Sequence, residues 1–420
     1  MANERKDIKY QIEHGYKLQT LMHKVNKETL IEQHRKQQKN KASGVDKITK
    51  ENYDINLESN VDNLLVKMKK FAYIPQPVRR VEIPKANGKT RPLGIPAYED
   101  RLVQGVMADV LTEIYENIFL DCSNGFRPSR NCHRVIREIN QRIMINKVNY
   151  ILEADIKSFF DNVNHNKLME FLKYTIQDRN FLRYINRFLK SGVIENMKYY
   201  KTDKGTPQGG LISPILANVY LHYVLDLWVE KCVKPNCKGE VYYVRYADDF
   251  VLMFQYENEA HIVMKALEKR LLKFDLEIEK TKTRILPFGR FKGNIDNFDF
   301  LGFTFMNGKT KDGKYRVLVR TSKKKLKQKK ENAKQWLENN MHENIIEILE
   351  KLKLKLIGHY RYYGINGNYK WLLKFYKYIK YAYYRILRKR GQKHPIPYER
   401  YIYYWRTMEM PAPVICVNIW

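Results

Sequence analysis

The chain has 420 residues, 44% of them apolar, which is enough for several domains with a large core and excludes a disordered protein. It carries 77 Lys and Arg against 46 Asp and Glu, a net charge of +31. A charge of that size repels itself, so a polyanionic partner is a better account of it than a merely solvated surface. The polar start "MANERKDIKY" and the lack of a long apolar run argue against a signal peptide or a membrane span and predict a cytoplasmic protein.

Residues 1–70 read as a basic helical extension, with Val61, Leu64, Leu65 and Met68 at helical spacing. In "PVRRVEIPKANGKTRPLGIP", two β-prone runs flank Asn87-Gly88, a hairpin signal. "YILEAD" is a short strand ending in Asp155, and Asn162 and Asn164 then offer caps for a helix that turns Leu168, Phe171 and Leu172 inward. "KGTPQGG" is a loop running into a long apolar helix from about Ser213. "VYYVRYADDFVLMF" reads as two strands around Ala247-Asp248, followed by a helix over about 258–274. "LEIEKTKTRI" and "FDFLGFTF" read as strands, and 306–320, with Gly308 and Gly313, as a hinge. From about 321 the pattern is helical, with Ile345, Ile348, Leu349, Leu352 and Leu356 on one face and Trp371, Phe375, Ile379, Ala382 and Ile386 on another. Taken together, these elements predict an α+β fold followed by an all-helical region.

Two features of this pattern point to chemistry. Residues 321–420 hold 22 Lys and Arg but 7 Asp and Glu, with 13 tyrosines between Tyr360 and Tyr404, a composition suited to phosphates and bases. Asp248 and Asp249 interrupt an apolar run that is expected to bury them, so they call for a compensating cation. Magnesium fits as a hard ion held by a few carboxylates and substrate phosphates. Two such ions, bound by Asp155, Asp248 and Asp249, can activate an attacking 3′ hydroxyl and stabilise a leaving pyrophosphate. Lys85 and Arg91, on the first hairpin, are then placed to clamp a triphosphate. Five cysteines are scattered and odd in number, which suits free thiols in a reducing compartment. Cys232 and Cys237 form a lone C-x4-C pair, for which a zinc site is the alternative.

The order of these motifs resembles the reverse transcriptases encoded by bacterial group II introns. The residues that carry the resemblance are "KASGVDKIT", "VRRVEIPKANGKTRPLGIPAYEDRLVQ", "SNGFRPSRNCHRVI", "ADIKSFFDNVNH", "GTPQGGLISPILANVYL", "YADD", "LEIEKTKT" and "FLGF", in that order over most of the chain. The resemblance implies a right-hand polymerase. Residues 1–70 would be its extension, 71–305 its fingers and palm with an antiparallel sheet, and 306–420 a helical thumb or maturase domain. It implies that Asp155, Asp248 and Asp249 are catalytic metal ligands and that Lys282 serves the pyrophosphate. Lys85, Arg91, Gln208 and Phe159 or Phe160 would meet the incoming nucleotide, Phe160 being favoured as the ring that rejects a ribose 2′ hydroxyl. "LKLKLIGHYRYYGINGNYKWLLKFYKYI" is similar to the thumb signature, with Lys323, Lys324, Arg361, Arg385 and Arg388 expected on RNA phosphates, while at least one of Tyr360, Tyr362 and Tyr363 is expected in the core. The implied partners are group II intron RNA, an RNA template with its primer, dNTPs and target DNA, in the bacterial cytoplasm and without a membrane. No His-Asn-His nuclease pattern follows, so endonuclease activity is not expected. A domesticated relative (a retron, a diversity-generating element or a phage-defence polymerase) and a non-catalytic splicing cofactor are the alternatives; the three carboxylates argue against the latter, because they repel RNA.

Overall fold

The computed structural model describes residues 7–84, 90–196, 198–206, 209–292, 296–390 and 395–420. Among these, the strands in chain order are β1 (Val78–Pro84), β2 (Thr90–Ile95), β3 (Tyr150–Ala154), β4 (Val193–Glu195), β5 (Lys198–Tyr200), β6 (Val241–Tyr246), β7 (Asp249–Phe254), β8 (Arg284–Pro287), β9 (Asn297–Phe300), β10 (Phe303–Lys309) and β11 (Tyr315–Thr321). Helices stand between groups of these strands, giving the expected α+β content. The chain divides into two compact units. One comprises residues up to 131, 152–252 and 258–284; the other comprises 132–151, 253–257 and 285 onward.

In the first unit, β1 and β2 form the antiparallel hairpin expected around Asn87-Gly88, in register from Arg79 opposite Ile95 to Pro84 opposite Thr90. The turn itself lies outside the described residues. β1 also pairs with β4, in parallel, so this sheet, ordered β2-β1-β4-β5, is mixed. The second sheet, ordered β6-β7-β3-β8, has β6 and most of β7 and β3 in this unit.

The helices start where capping chemistry allows. Asn164 accepts from the Lys167 amide at the head of helix His165–Lys173, and that helix buries Leu168, Phe171 and Leu172. Asp178 caps helix Arg179–Leu189 through Oδ1, while its Oδ2 accepts from the amides of Leu21 and Met22 at 2.7 and 3.0 Å. One buried carboxylate thus satisfies orphan donors of a helix end and of an amino-terminal segment. The apolar stretch from Ser213 is not one α-helix. An α-helix at Ser213–Leu221 passes into π-helical turns at His222–Asp226 and Val229–Val233.

In the second unit, β9, β10 and β11 form an antiparallel sheet. "FDFLGFTF" is therefore two strands, not one: Phe300 pairs with Phe303, leaving Leu301 and Gly302 as a two-residue turn with φ of 48° and 79°. Positive φ at both central residues matches the twist of a hairpin, and glycine adopts it freely. Residues 306–320, read as a hinge, are mostly paired strand: β10 and β11 account for all but 310–314, and the Gly313 turn joins them. "LEIEKTKTRI" departs likewise. Only an isolated bridge, Ile278 to Ile156, forms before β8.

From Lys323 to Thr407 the described residues are mainly helical, as the periodicity predicts, whereas 408–420 form no helix. Helix Ile345–Tyr363 buries Ile348, Leu349, Leu352 and Leu356, and helix Tyr369–Arg390 buries Phe375, Ile379 and Ile386. Tyr360 and Tyr363 are core residues, while Tyr362 stays partly exposed with its hydroxyl donating to the Leu301 carbonyl. Between the helices, the wholly buried Asn368 accepts from the Thr321 amide at 2.9 Å and donates to the Tyr363 carbonyl at 2.8 Å, which pins the "GINGN" turn. No helix among the described residues is long and apolar enough to cross a membrane.

Candidate active site

Asp155 follows β3 directly, and Asp249 opens β7, its neighbour in the sheet. The Asn149 amide, at the start of β3, bonds to the carbonyl of Phe254, at the end of β7, so the two strands are antiparallel. Asp155 and Asp249 therefore leave the sheet at the same end. The segment carrying Lys282 is fixed there by bonds from the Glu279 amide to the Asp155 carbonyl (2.8 Å) and from the Lys157 amide to the Glu277 carbonyl (2.9 Å). Lys282 Nζ donates to Asp155 Oδ2. That hydrogen bond, reinforced by the charges of Asp155, Glu279 and Asp249, raises the Lys282 pKa against the opposing effect of partial burial. The ammonium is thus held protonated between carboxylates.

The aspartate pair is not buried, contrary to the expectation from its apolar flanks. Asp248 is half-buried and Asp249 exposed. The apolar residues end with the strands, and the turn projects beyond them. Ala247, the first turn residue, has φ of 56°, a left-handed conformation that costs a residue with a Cβ about 1 kcal/mol or more.

Among the described residues, no three His, Cys, Asp or Glu side chains stand close enough to form a metal-binding group. The donor set still suits a hard cation. Asp155 and Asp249 offer oxygen ligands at one sheet end, and magnesium needs only one or two protein carboxylates when substrate phosphates and water complete its shell. None of Cys122, Cys132, Cys232, Cys237 and Cys416 is in a disulfide.

A cavity of about 160 Å³ lies in the first unit, walled by Arg80 of β1, Gly94 of β2, Phe160, Asp161, Gly205 and Thr206. Backbone bonds build its floor: the Gly205 amide to the Val163 carbonyl (2.8 Å) and the Thr206 amide to the Phe160 carbonyl (2.7 Å). Gly205 has φ of 88°, and a Cβ there would lie 3.0 Å from the Phe160 carbonyl oxygen, so this loop needs glycine. Among the described residues, the buried Thr206 hydroxyl finds no protein partner. Phe160 faces this cavity. Phe159 is not among the residues that wall it: it is 2% exposed and packs on Tyr220, as a core residue does. Arg91 stands in β2 opposite Ile83. Lys85 and Gln208 lie outside the described residues. In the second unit, Lys323, Lys324, Arg361, Arg385 and Arg388 are all exposed.

The sequence reading missed the residues beneath the aspartate turn. Arg245 and Asp226 are wholly buried and paired at 2.6 Å. The signal was present as a lone arginine in "VYYVRY" and a lone aspartate in "YLHYVLDLWV", since a charge inside an apolar run demands a partner.

A family model for reverse transcriptase (RNA-dependent DNA polymerase) matches residues 83–305, and the chain belongs to that family. It is similar to the group II intron-encoded protein LtrA of Lactococcus lactis subsp. cremoris, with 34% identity over 263 residues, 60% of this chain and 44% of that protein. It is 34% identical over 308 residues to protein YkfC of Escherichia coli, covering 66% of this chain and 78% of that one. An uncharacterized 91 kDa protein in the cob intron of Schizosaccharomyces pombe shares 39% identity over 183 residues, 44% of this chain and 22% of that one. The chain thus spans less than half the length of LtrA.

Proposed function

We propose that this protein is an RNA-directed DNA polymerase of the group II intron type, which extends a primer on an RNA template and binds its intron RNA to assist splicing and mobility. The observation that carries the reading is the convergence of Asp155 and Asp249 on Lys282 at one end of the second sheet. Asp155, Asp248 and Asp249 would hold divalent ions, two Mg2+ in this reading, whose charge activates a primer 3′ hydroxyl and offsets that of the leaving pyrophosphate. Lys282, kept protonated by Asp155, is suited to meet the pyrophosphate charge. Phe160 lines the cavity where a sugar edge would lie, and its ring favours 2′ hydrogen over hydroxyl. Lys85, Arg91 and Gln208 complete the nucleotide contacts in this reading. The right-hand arrangement, with fingers and palm over 71–305 and a thumb or maturase domain beyond, belongs to the same proposal. So do the intron RNA, dNTP and target-DNA partners.

The test is primer extension on an RNA template. Asp155→Ala and Asp248→Ala are expected to abolish extension and leave RNA affinity equal or higher, because each removes a metal ligand and a negative charge. Extension at wild-type rates by either variant rejects the assignment.

A further inference from the structure

Arg245 has the largest of the fully buried side chains, and every one of its donors is matched. Nε and Nη2 donate to the two carboxylate oxygens of Asp226 at 2.7 and 2.6 Å. Nη2 also donates to Ser123 Oγ at 2.7 Å, and Nη1 to Asn218 Oδ1 at 2.8 Å. The fifth bond, from Nη1 at 2.9 Å, goes to the carbonyl of Ala247, the turn residue before Asp248. A guanidinium has five N–H donors in a rigid fork, and all five are used.

The acceptors come from three separate segments. Asn218 stands in helix Ser213–Leu221, and its amide donates to the Gly125 carbonyl at 2.6 Å. Gly125 follows the 122–124 segment, which runs beside β6 through the Arg245 amide to the Cys122 carbonyl (2.8 Å) and the Asn124 amide to the Arg245 carbonyl (2.9 Å). A Cβ on Gly125 would clash with the Ala247 backbone nitrogen, so the segment presses directly on the turn. Asp226 ends a π-helical turn, a departure from α geometry that often marks functional positions, and it also accepts from the Tyr243 hydroxyl at 3.0 Å. A strained left-handed alanine persists only where its surroundings over-determine it. Here the surroundings are the Arg245 fork on its carbonyl and Gly125 against its nitrogen.

The geometry points to Arg245 as a positioning residue that, with Asp226, Asn218 and Ser123, sets the left-handed Ala247 turn and thereby aims Asp248 and Asp249. The inference rests on the reading of those two aspartates as catalytic. A buried ion pair by itself is weak evidence for stability, since an apolar pair of similar volume often serves as well. What an apolar pair cannot do is hold a carbonyl.

The experiment uses the full chain with two variants, Arg245→Lys and the double substitution Arg245→Met with Asp226→Leu, and Asp248→Ala runs alongside. Lysine keeps the charge but loses the fork. The double variant leaves no unpaired buried charge. Folding is read from thermal melting, and binding from primer–template Kd. Catalysis is read from single-turnover dNTP incorporation across a Mg2+ titration. Both Arg245 variants are expected to keep primer–template Kd and nucleotide KM within about threefold. Each is expected to lose on the order of 100-fold in rate, as for a misplacement near 1 Å, and to need more Mg2+ for half-maximal rate. A folded variant of either kind that extends at the wild-type rate with an unchanged Mg2+ midpoint overturns the inference. Should the double variant not fold, Arg245→Lys decides alone; should that variant also fail to fold, the residue is structural and the inference falls. If Asp248→Ala itself retains activity, the reading of the site fails, and a fast Arg245 variant beside an inactive Asp248→Ala rejects the positioning role only.

Discussion

The turn at Ala247–Asp249 and the helices beyond Lys323 use the same side chains to opposite ends. Beneath the turn, arginine and tyrosine are buried: Arg245 is spent on five internal acceptors, and burial pushes the Tyr243 hydroxyl well above its usual pKa, with Asp226 adding to the shift. In the helices, cations stay outside and rest on rings. Lys330 lies 4.7 Å from the Tyr378 centroid, Lys355 4.5 Å from Trp336, and Arg385 5.8 Å from Tyr381. A cation on a partly exposed ring keeps most of its charge available and gains about 0.5–1 kcal/mol. One region converts charge into fixed geometry, and the other presents charge as a field. The first should therefore fail abruptly when one atom is added or removed, and the second should fade gradually.

The largest effects test the abrupt side. Beyond the aspartate variants, Gly125→Ala drives a methyl group into the Ala247 backbone and is expected to lower the extension rate by about 100-fold with RNA affinity retained. A rate within a factor of three of wild type would show that the turn is soft. Next comes Phe160→Ala, which opens the cavity wall. The ratio of ribonucleotide to deoxyribonucleotide incorporation should rise by about tenfold or more, while Phe159→Ala should instead destabilise the fold by about 3–5 kcal/mol, as for any truncated buried phenylalanine. Matched single-nucleotide kinetics and denaturant melts separate the two.

The gradual side gives smaller steps. Replacing Lys323 and Lys324 by alanine should leave extension chemistry unchanged and reduce the slope of log affinity against log salt by about 0.7–0.9 for each phosphate left without its cation. An unchanged slope for a structured intron RNA would remove these residues from the interface. A further effect concerns acid. Burial, with help from Lys329, pulls the His359 pKa down to about 3, and neither ring nitrogen has a protein partner among the described residues. The unfolded chain, with histidine near 6.5, binds the proton more readily. Stability is therefore full above about 6.5 and falls as pH drops toward 3, by at most about 1.4 kcal/mol per pH unit for this group. His359→Phe should flatten that fall in denaturant titrations at pH 7 and pH 4. His222, lowered to about 4 by burial, should keep its share of the loss in the same variant.

The elements that were legible from the chain were those with a strong local signal. The helices holding Leu168 and Leu352 announced themselves by period, and the Asn87-Gly88 hairpin by turn chemistry. Asp155, Asp248 and Asp249 stood out as carboxylates, and the structure brings Asp155 and Asp249 to one sheet end, although the burial expected of the pair does not occur. What was not legible depended on neighbours distant in sequence. Nothing local in "SNGF" says that Gly125 must abut Ala247, and nothing in "KGTP" says that Thr206 bonds to Phe160. The two-residue turn at Leu301-Gly302 was missed because leucine rarely takes positive φ, and only strand pairing imposes it there. The π-helical turns were missed for a related reason. An apolar stretch shows which residues are buried, not the number of residues per turn.

The carboxylate of Asp178, which serves both a helix and the amides of Leu21 and Met22, joins residues 157 apart in sequence. During synthesis, Leu21 leaves the ribosome long before its partner does. At about 5–20 residues per second the interval is roughly ten to thirty seconds. Until then the segment cannot make these bonds, nor the pairing of Leu18 with Ile176. Its docking is a late event in folding, closing one of the longest loops in the unit. A variant such as Asp178→Ala should therefore slow or reverse that last step and leave the earlier helices to form at their own rate.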